Sequence, residues 1–276
     1  MTTPYPTPKP NLLAALPDIA EHLSRPKLAL FFDIDGTISK IAPSPELAVV
    51  DPRCKAALDE LALNVGLLAF VSGRSAGDAA ALVGIPQAIY AGAHGLDRWE
   101  SGRYSVHPDA AAAASTMQLA VERIRMQLTL PGIVIEDKGV SFAVHYRETQ
   151  DPDDARVLVL QAATAVASEL PVLVMEGRRV VELKPLLELN KGTAVVGLLN
   201  EQPLQGALYV GDDVTDMAAM YRLRQWSEET GVWAASVAVL SDETPAGLLD
   251  AADYWVQGVD GVAMFLTWLA ENRASI

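Results

Sequence analysis

Short apolar runs that stop abruptly at polar residues mark the first and last thirds of the chain. Leu28 to Phe32 is continuously apolar and ends at Asp33, a pattern that fits a strand buried on both faces of a parallel sheet. Residues 53–62 follow with helical spacing and set Ala57, Leu58 and Leu61 on one side. Val65 to Val71 predicts a second strand, ending at Ser72-Gly73-Arg74-Ser75; a helix over 75–83 and a strand from Ala88 to Ala91 come next. After Pro185 the same style returns. The pattern predicts a helix from Lys191 to Leu199, a strand from Ala207 to Val210 that ends in Gly211-Asp212-Asp213, and a helix over 215–224. Strands at Val237 to Leu240 and Tyr254 to Val256 and a closing helix over 260–271 complete the series. Strand and helix alternating in this way predict an α/β fold with a doubly wound parallel sheet.

The middle of the chain reads differently. A long Ala-rich helix is expected over 109–128, ended by Pro131-Gly132. Residues 133–136 and 140–146 read as a strand pair around Asp137-Lys138-Gly139. The second strand alternates Val140, Phe142 and Val144 against Ser141, Ala143 and His145, as a half-exposed antiparallel strand does. A helix over 152–169 and a second hairpin, 172–176 with 179–183 around Glu176-Gly177-Arg178, follow. Residues 108–185 therefore predict a smaller inserted α+β domain, and 1–107 with 186–276 the core. No internal repeat is visible.

Three of the apolar runs end in acidic or hydroxyl signatures: Asp33-Ile34-Asp35-Gly36-Thr37, Ser72-Gly73-Arg74, and Gly211-Asp212-Asp213-Val214-Thr215-Asp216. Ligands of open parallel sheets bind beyond the carboxyl ends of the strands, so these signatures converge if the strands are neighbours. Taken singly, each Asp pair serves equally well as a helix or turn cap. Together they form a carboxylate cluster whose members raise one another's pKa unless a cation is present. Oxygen donors of this kind suit Mg²⁺, which neutralises a transferring phosphoryl group. Gly36 leaves room for a close backbone approach, and Thr37 either caps the next segment or donates to a phosphate oxygen.

Composition narrows the partners. Half of the 276 residues are hydrophobic, 20% are charged, and the formal net charge is −14. A chain this acidic is a poor ligand for nucleic acid or an anionic membrane, and it has no basic stripe. The single cysteine, Cys54, excludes an internal disulfide and reads as a small apolar helix residue. The proline-rich start, residues 1–10, reads as an extended lead-in without the pattern of a secretory signal, and no apolar run reaches membrane-spanning length. A cytoplasmic protein acting on a small molecule is the expectation; the oligomeric state is open.

The four segments resemble the motifs of the haloacid dehalogenase (HAD) superfamily of phosphatases. Asp33-Ile34-Asp35-Gly36-Thr37 resembles the first motif, Ser72 the second, Lys191 the third and Gly211 to Asp216 the fourth. The insertion between the second and third resembles that superfamily's C2-type cap, which implies a Rossmann-like core and a cap that closes around joints near Gly95–Pro108 and Lys184–Asn190. The resemblance narrows to the trehalose-6-phosphate phosphatases through Gly92-Ala93-His94-Gly95, Glu136-Asp137-Lys138-Gly139, His145-Tyr146-Arg147 and Glu182-Leu183-Lys184-Pro185. Met217 departs from it, standing where an acidic residue is expected.

The resemblance implies that Asp33 is the nucleophile and forms an aspartyl-phosphate. It implies that Asp35 is the general acid and base, and that Ser72 and Lys191 hold the phosphoryl oxygens. Mg²⁺ is implied at Asp33, at the Asp35 backbone carbonyl and at Asp212, with Asp213 and Asp216 in support. Glu136, Lys138 and Glu182 are implied as sugar-hydroxyl ligands, with Gly73, Arg74, His145, Arg147 and Lys184 also toward substrate and His94 a lesser candidate. Tyr146 is expected to pack at the cap surface. Other HAD sugar phosphatases, acting on sucrose or mannosylglycerate phosphates, and a catalytically dead sugar-phosphate sensor are the competing readings. The presence of Asp33, Asp35, Lys191 and Asp212 argues against the sensor.

Overall fold

The computed structural model describes residues 9–177 and 179–273. Most of the expected extended lead-in, and Arg178 of the second hairpin turn, lie outside the described residues. The elements of the first part are α1 (Leu12–Leu23), β1 (Leu28–Phe32), α2 (Pro52–Leu61), β2 (Leu67–Val71), α3 (Ala76–Val83), β3 (Ile89–Gly92), β4 (Asp97–Glu100) and β5 (Arg103–Val106). The middle holds α4 (Pro108–Ala112), α5 (Ala114–Gln127), β6 (Val134–Asp137), β7 (Phe142–His145), α6 (Pro152–Glu169), β8 (Val172–Gly177) and β9 (Val180–Pro185). The rest comprises α7 (Lys191–Asn200), β10 (Gly206–Gly211), α8 (Val214–Thr230), β11 (Ala234–Leu240), α9 (Leu248–Ala251), β12 (Tyr254–Gln257) and α10 (Gly258–Arg273).

The chain divides into two compact units, one running up to Tyr104 and resuming at Leu189, the other Ser105–Glu188. Among the described residues the larger sheet has the order β12-β11-β10-β1-β2-β3-β4-β5. Strands β1 to β3 and β10 to β12 pair in parallel, whereas β4 returns antiparallel to β3. Strand parity decides what each side chain meets. Leu28, Leu30 and Phe32 pack with apolar residues of α1, α2, α3 and α10, and Ala29 and Phe31 with those of α7, α8 and α9. All five are fully buried, and each large side chain there contributes roughly 1.5–3 kcal/mol by leaving water. This is the doubly wound α/β core that the alternation predicts.

Three local features depart from expectation. Helix α1 was not assigned from the sequence; Asn11 caps it, and Leu12, Leu16, Ile19 and Leu23 form a buried stripe that outweighs the hydrogen bond lost at Pro17. Between β3 and α4 there is a hairpin, β4–β5, turning at Ser101 and Gly102 with φ of 50° and 76°. The single helix expected over 109–128 is interrupted at Ala113, which closes α4 with backbone bonds to Ala110 and Asp109.

The smaller sheet has the order β6-β7-β9-β8, all antiparallel. Phe142, Val144, Val181, Leu183 and Val172 face α5 and α6 and form this unit's own apolar cluster. Tyr146, expected at the surface, is buried in the same cluster.

At the amino-terminal side of the large sheet, α10 ends in a buried cation. The Arg273 guanidinium donates to the carbonyls of Leu23, Arg25 (3.1 Å) and Asn64 (2.6 Å), tying α10 to the chain leaving α1 and α2. Burial lowers the pKa of this arginine. Replacing Arg273 with Met is expected to destabilise the fold by roughly 2–4 kcal/mol, because three carbonyls lose a charged donor. Arg273→Lys, without the planar fork, should recover less than half of that loss. A denaturant midpoint indifferent to either change would contradict the clamp.

Candidate active site

Parallel pairing builds the site. Phe32 lies opposite Val210 and Phe70, so the residues that follow β1, β10 and β2 emerge side by side. The Asp33 amide continues the ladder by donating to the Val210 carbonyl at 2.9 Å. One residue past β2 stands Ser72, also buried, and its amide donates to Ala91. Parity turns Asp33 to the same side as Phe31, where α7 and α8 begin.

Lys191, the first residue of α7, is buried against that side. Its ammonium lies 3.0 Å from Asp33 Oδ2 and 2.7 Å from Asp216 Oδ1. Asn190 caps α7 by accepting from Gly192 and Thr193, which fixes where the lysine leaves the helix. Burial works against the charge on Lys191, but Asp216 and Asp33 outweigh it and raise its pKa.

Asp216 is completely enclosed and fully engaged. Its Oδ1 accepts from Lys191 and from the Tyr209 hydroxyl (2.6 Å); its Oδ2 accepts from the amides of Asp212 (2.9 Å) and Asp213 (2.8 Å). This makes it a holder of the loop and of the lysine. Tyr209 was not singled out from the sequence. The available signal was a tyrosine inside a buried apolar strand, whose hydroxyl needs a partner. Met217, beside Asp216, turns away and packs partly buried against apolar residues of the α7–α8 side.

Asp33, Asp212 and Asp216 bring carboxylate oxygens within 4.8 Å of one another, and all three are buried. Burial, with Asp216 and Asp212 adding to it against Lys191, pushes the Asp33 pKa well up. Burial and the Asp216 charge push that of Asp212 up to about 7. Such a donor set fits a divalent cation, which favours the ionised form of both groups. With Asp216 committed elsewhere, Asp33 and Asp212 are the pair that offers oxygens. Thr37 neither caps a helix nor points to open space: its hydroxyl donates to Asp212 Oδ1 at 3.1 Å. At Gly36 φ is +91°, and a Cβ there would lie 2.0 Å from Asp212 Oδ2.

Asp35 stands partly exposed, its two oxygens gripped by the Arg74 Nε (2.6 Å) and Nη2 (2.7 Å). Gly73 lies under the His94 ring, 3.0 Å from where a Cβ would be.

In the smaller unit, cross-strand register sets Glu136, Ala143 and Glu182 in one row, on the face opposite the apolar cluster. His145 and Lys184 share that face by parity. His145 Nε2 lies 2.8 Å from Glu136 Oε2, a bond that lowers the Glu136 pKa. Lys138 (3.2 Å) and the Ser141 hydroxyl (3.3 Å) both approach Glu182 Oε1. Lys184 is buried, which lowers its pKa. Arg147 is exposed, just beyond β7.

In thermal unfolding, millimolar divalent cation such as Mg²⁺ should raise the melting temperature by about 2–4 °C over a chelated sample, as about 1 kcal/mol of linked binding does. Gly36→Ala should lose at least half of that gain, since the new methyl displaces Asp212. An equal gain in both proteins would remove Asp212 from the cation site.

Comparison with known proteins adds to this geometry. The chain is 36% identical over 215 residues to the trehalose-phosphate phosphatase of Mycobacterium bovis BCG, covering 75% of this chain and 54% of that protein. It is 35% identical over 223 residues to the Mycobacterium avium trehalose-phosphate phosphatase, covering 78% and 56%. The chain thus spans about half the length of the curated relatives it matches. The C-terminal domain of the Candida albicans trehalose-6-phosphate phosphatase superposes with a TM-score of 0.78 over 97% of this chain and 99% of that one; at 22% identity this speaks to the fold. The sequence profile of the trehalose-phosphatase family matches residues 31–247, well over half of the chain. The chain belongs to the trehalose-phosphatase family.

Proposed function

We propose that the chain is a Mg²⁺-dependent phosphatase that hydrolyses trehalose 6-phosphate to trehalose and phosphate. The observation that carries this reading is the buried carboxylate trio: Asp33 beside Asp212 just past the adjacent parallel strands β1 and β10, with Lys191 drawn between Asp33 and Asp216 of α8. Family membership supports the substrate class.

In this reading Asp33 Oδ attacks phosphorus, the bond from phosphorus to the sugar oxygen breaks, and Asp35 gives its proton to that oxygen. Water then attacks the aspartyl-phosphate, Asp35 takes the water's proton, and phosphate leaves with Asp33 regenerated. Lys191 and Ser72 hold phosphoryl oxygens. Mg²⁺ would be held by the Asp33 side chain, the Asp35 backbone carbonyl and Asp212, and it supplies charge neutralisation at the phosphoryl group. Residues 1–107 and 186–276 carry this chemistry, and 108–185 the recognition of the sugar. Glu136, Lys138 and Glu182 bind sugar hydroxyls, since charged groups make the stronger hydrogen bonds. Gly73, Lys184, His145 and Arg147 assist toward the substrate.

Phosphate release from trehalose 6-phosphate, set against glucose 6-phosphate and sucrose 6-phosphate with and without Mg²⁺, tests this directly. Trehalose 6-phosphate should be preferred by about 10-fold or more in kcat/KM, the discrimination that a few sugar contacts give. Equal rates on all three would defeat the substrate assignment. Asp33→Asn should lose at least about 10³-fold in kcat while folding normally, as expected on removing a nucleophile. For Glu182→Gln, KM for trehalose 6-phosphate should rise roughly 10-fold with kcat changed less, which is the mark of a binding contact.

A further inference from the structure

Arg74 carries two marks that its expected place among the substrate ligands does not explain. Its guanidinium is turned inward, with Nε and Nη2 forked onto both oxygens of Asp35 and Nη1 donating to the Pro45 carbonyl at 3.1 Å. The side chain is only 13% exposed against 35% for Asp35, so the arginine is the more enclosed partner.

Its backbone is clamped as well. The Arg74 amide donates to the Ser72 hydroxyl at 3.2 Å. The Arg74 carbonyl accepts from the Ala93 amide at 2.6 Å, and the Ser72 carbonyl accepts from the His94 amide at 2.9 Å. Those two amides come from consecutive non-glycine residues in the left-handed region, Ala93 at φ 45° and His94 at φ 59°. Such a conformation costs of order 1–3 kcal/mol per residue and persists only where the surroundings enforce it. Here it aims both amides at the loop that bears Arg74.

We propose that Arg74 is a positioning residue that fixes the carboxylate plane of Asp35, and that the strained Ala93–His94 turn is the brace that aims Arg74. A planar fork holds a carboxylate in one orientation, whereas a single ammonium leaves it free to turn. The proposal rests on the phosphatase reading above, in which Asp35 moves the proton. Arg74 then acts on proton transfer alone. Its loss weakens the departure of a basic sugar oxygen but leaves the departure of a good leaving group, which needs no proton, nearly untouched.

The test compares wild type, Arg74→Gln, Arg74→Lys, Asp35→Asn and the Asp35→Asn/Arg74→Gln double variant in the full chain with Mg²⁺. On trehalose 6-phosphate, kcat of Arg74→Gln should fall about 10- to 100-fold, a part of the roughly 10²- to 10⁴-fold that general acid–base catalysis contributes. KM should stay within about 3-fold. Arg74→Lys should rescue little, and the double variant should be no worse than Asp35→Asn alone. With p-nitrophenyl phosphate, the single-turnover burst of nitrophenol from Arg74→Gln should stay within about 3-fold of wild type, since that leaving group departs unprotonated. A crystal structure of Arg74→Gln should show Asp35 in a new rotamer or in two.

A KM raised 10-fold or more on both esters, or a burst that falls in step with the sugar-phosphate rate, would make Arg74 a substrate ligand and overturn the proposal. So would an Asp35 side chain unmoved in the variant. A wild-type chain that releases phosphate from neither ester removes the underlying reading, and the positioning role with it.

Discussion

A lysine ammonium enclosed by protein is tolerated only where anions meet it, and here two do. Lys191 is held between Asp33 and Asp216, and the second of these also receives a tyrosine hydroxyl and two amides of the β10–α8 loop. One carboxylate thereby sets both the lysine beside Asp33 and the loop that carries Asp212. The close fit extends to the backbone. A Cβ at Gly211 would lie 2.4 Å from Asp216 Cγ, so the strand must end in glycine for the helix to start where it does. Three carboxylates against one lysine leave the cluster short of positive charge, and this deficit suits it to a divalent cation.

Much of this was legible in the sequence, and the reasons are specific. Five apolar residues before Asp33 fit a strand covered on both faces, and the same logic located β2, β3 and β10. Once those strands pair in parallel, their polar ends must converge. The helix α1 was hidden because Pro17 argues against a helix while its buried stripe argues for one, and packing won. The β4–β5 hairpin was hidden because an edge strand such as Arg103–Val106 is mostly exposed and carries no apolar run. Inside the site, spacing gave proximity but not partnership. Asp216 follows Asp212 by one helical turn, yet nothing in that spacing says which oxygen receives which donor. Nor does sequence tell whether an arginine meets a substrate or an internal carboxylate 39 positions away, as Arg74 meets Asp35.

The smaller unit solves a different problem with the same alternation. Its sheet turns Phe142, Val144, Val181 and Leu183 to the helices and leaves Glu136, His145, Glu182 and Lys184 on the other face. Glu136 pairs with His145 at 2.8 Å and Glu182 with Lys138 at 3.2 Å, which keeps an array of polar side chains in a defined arrangement. A neutral polyhydroxyl ligand suits such an array, because each hydroxyl both donates and accepts and so can slot between an acid and a base without leaving either unsatisfied.

The arginine at the end of α10 carries a consequence for biosynthesis. The carbonyls that Arg273 binds belong to residues as far as 250 positions earlier in the chain. While the polypeptide is being made, Leu23, Arg25 and Asn64 have to wait, hydrated, until translation has passed that codon. The base of the large sheet is thus closed only once a residue 250 positions beyond Leu23 has emerged, and a nascent chain stalled before it keeps its first strand in an unfinished fold.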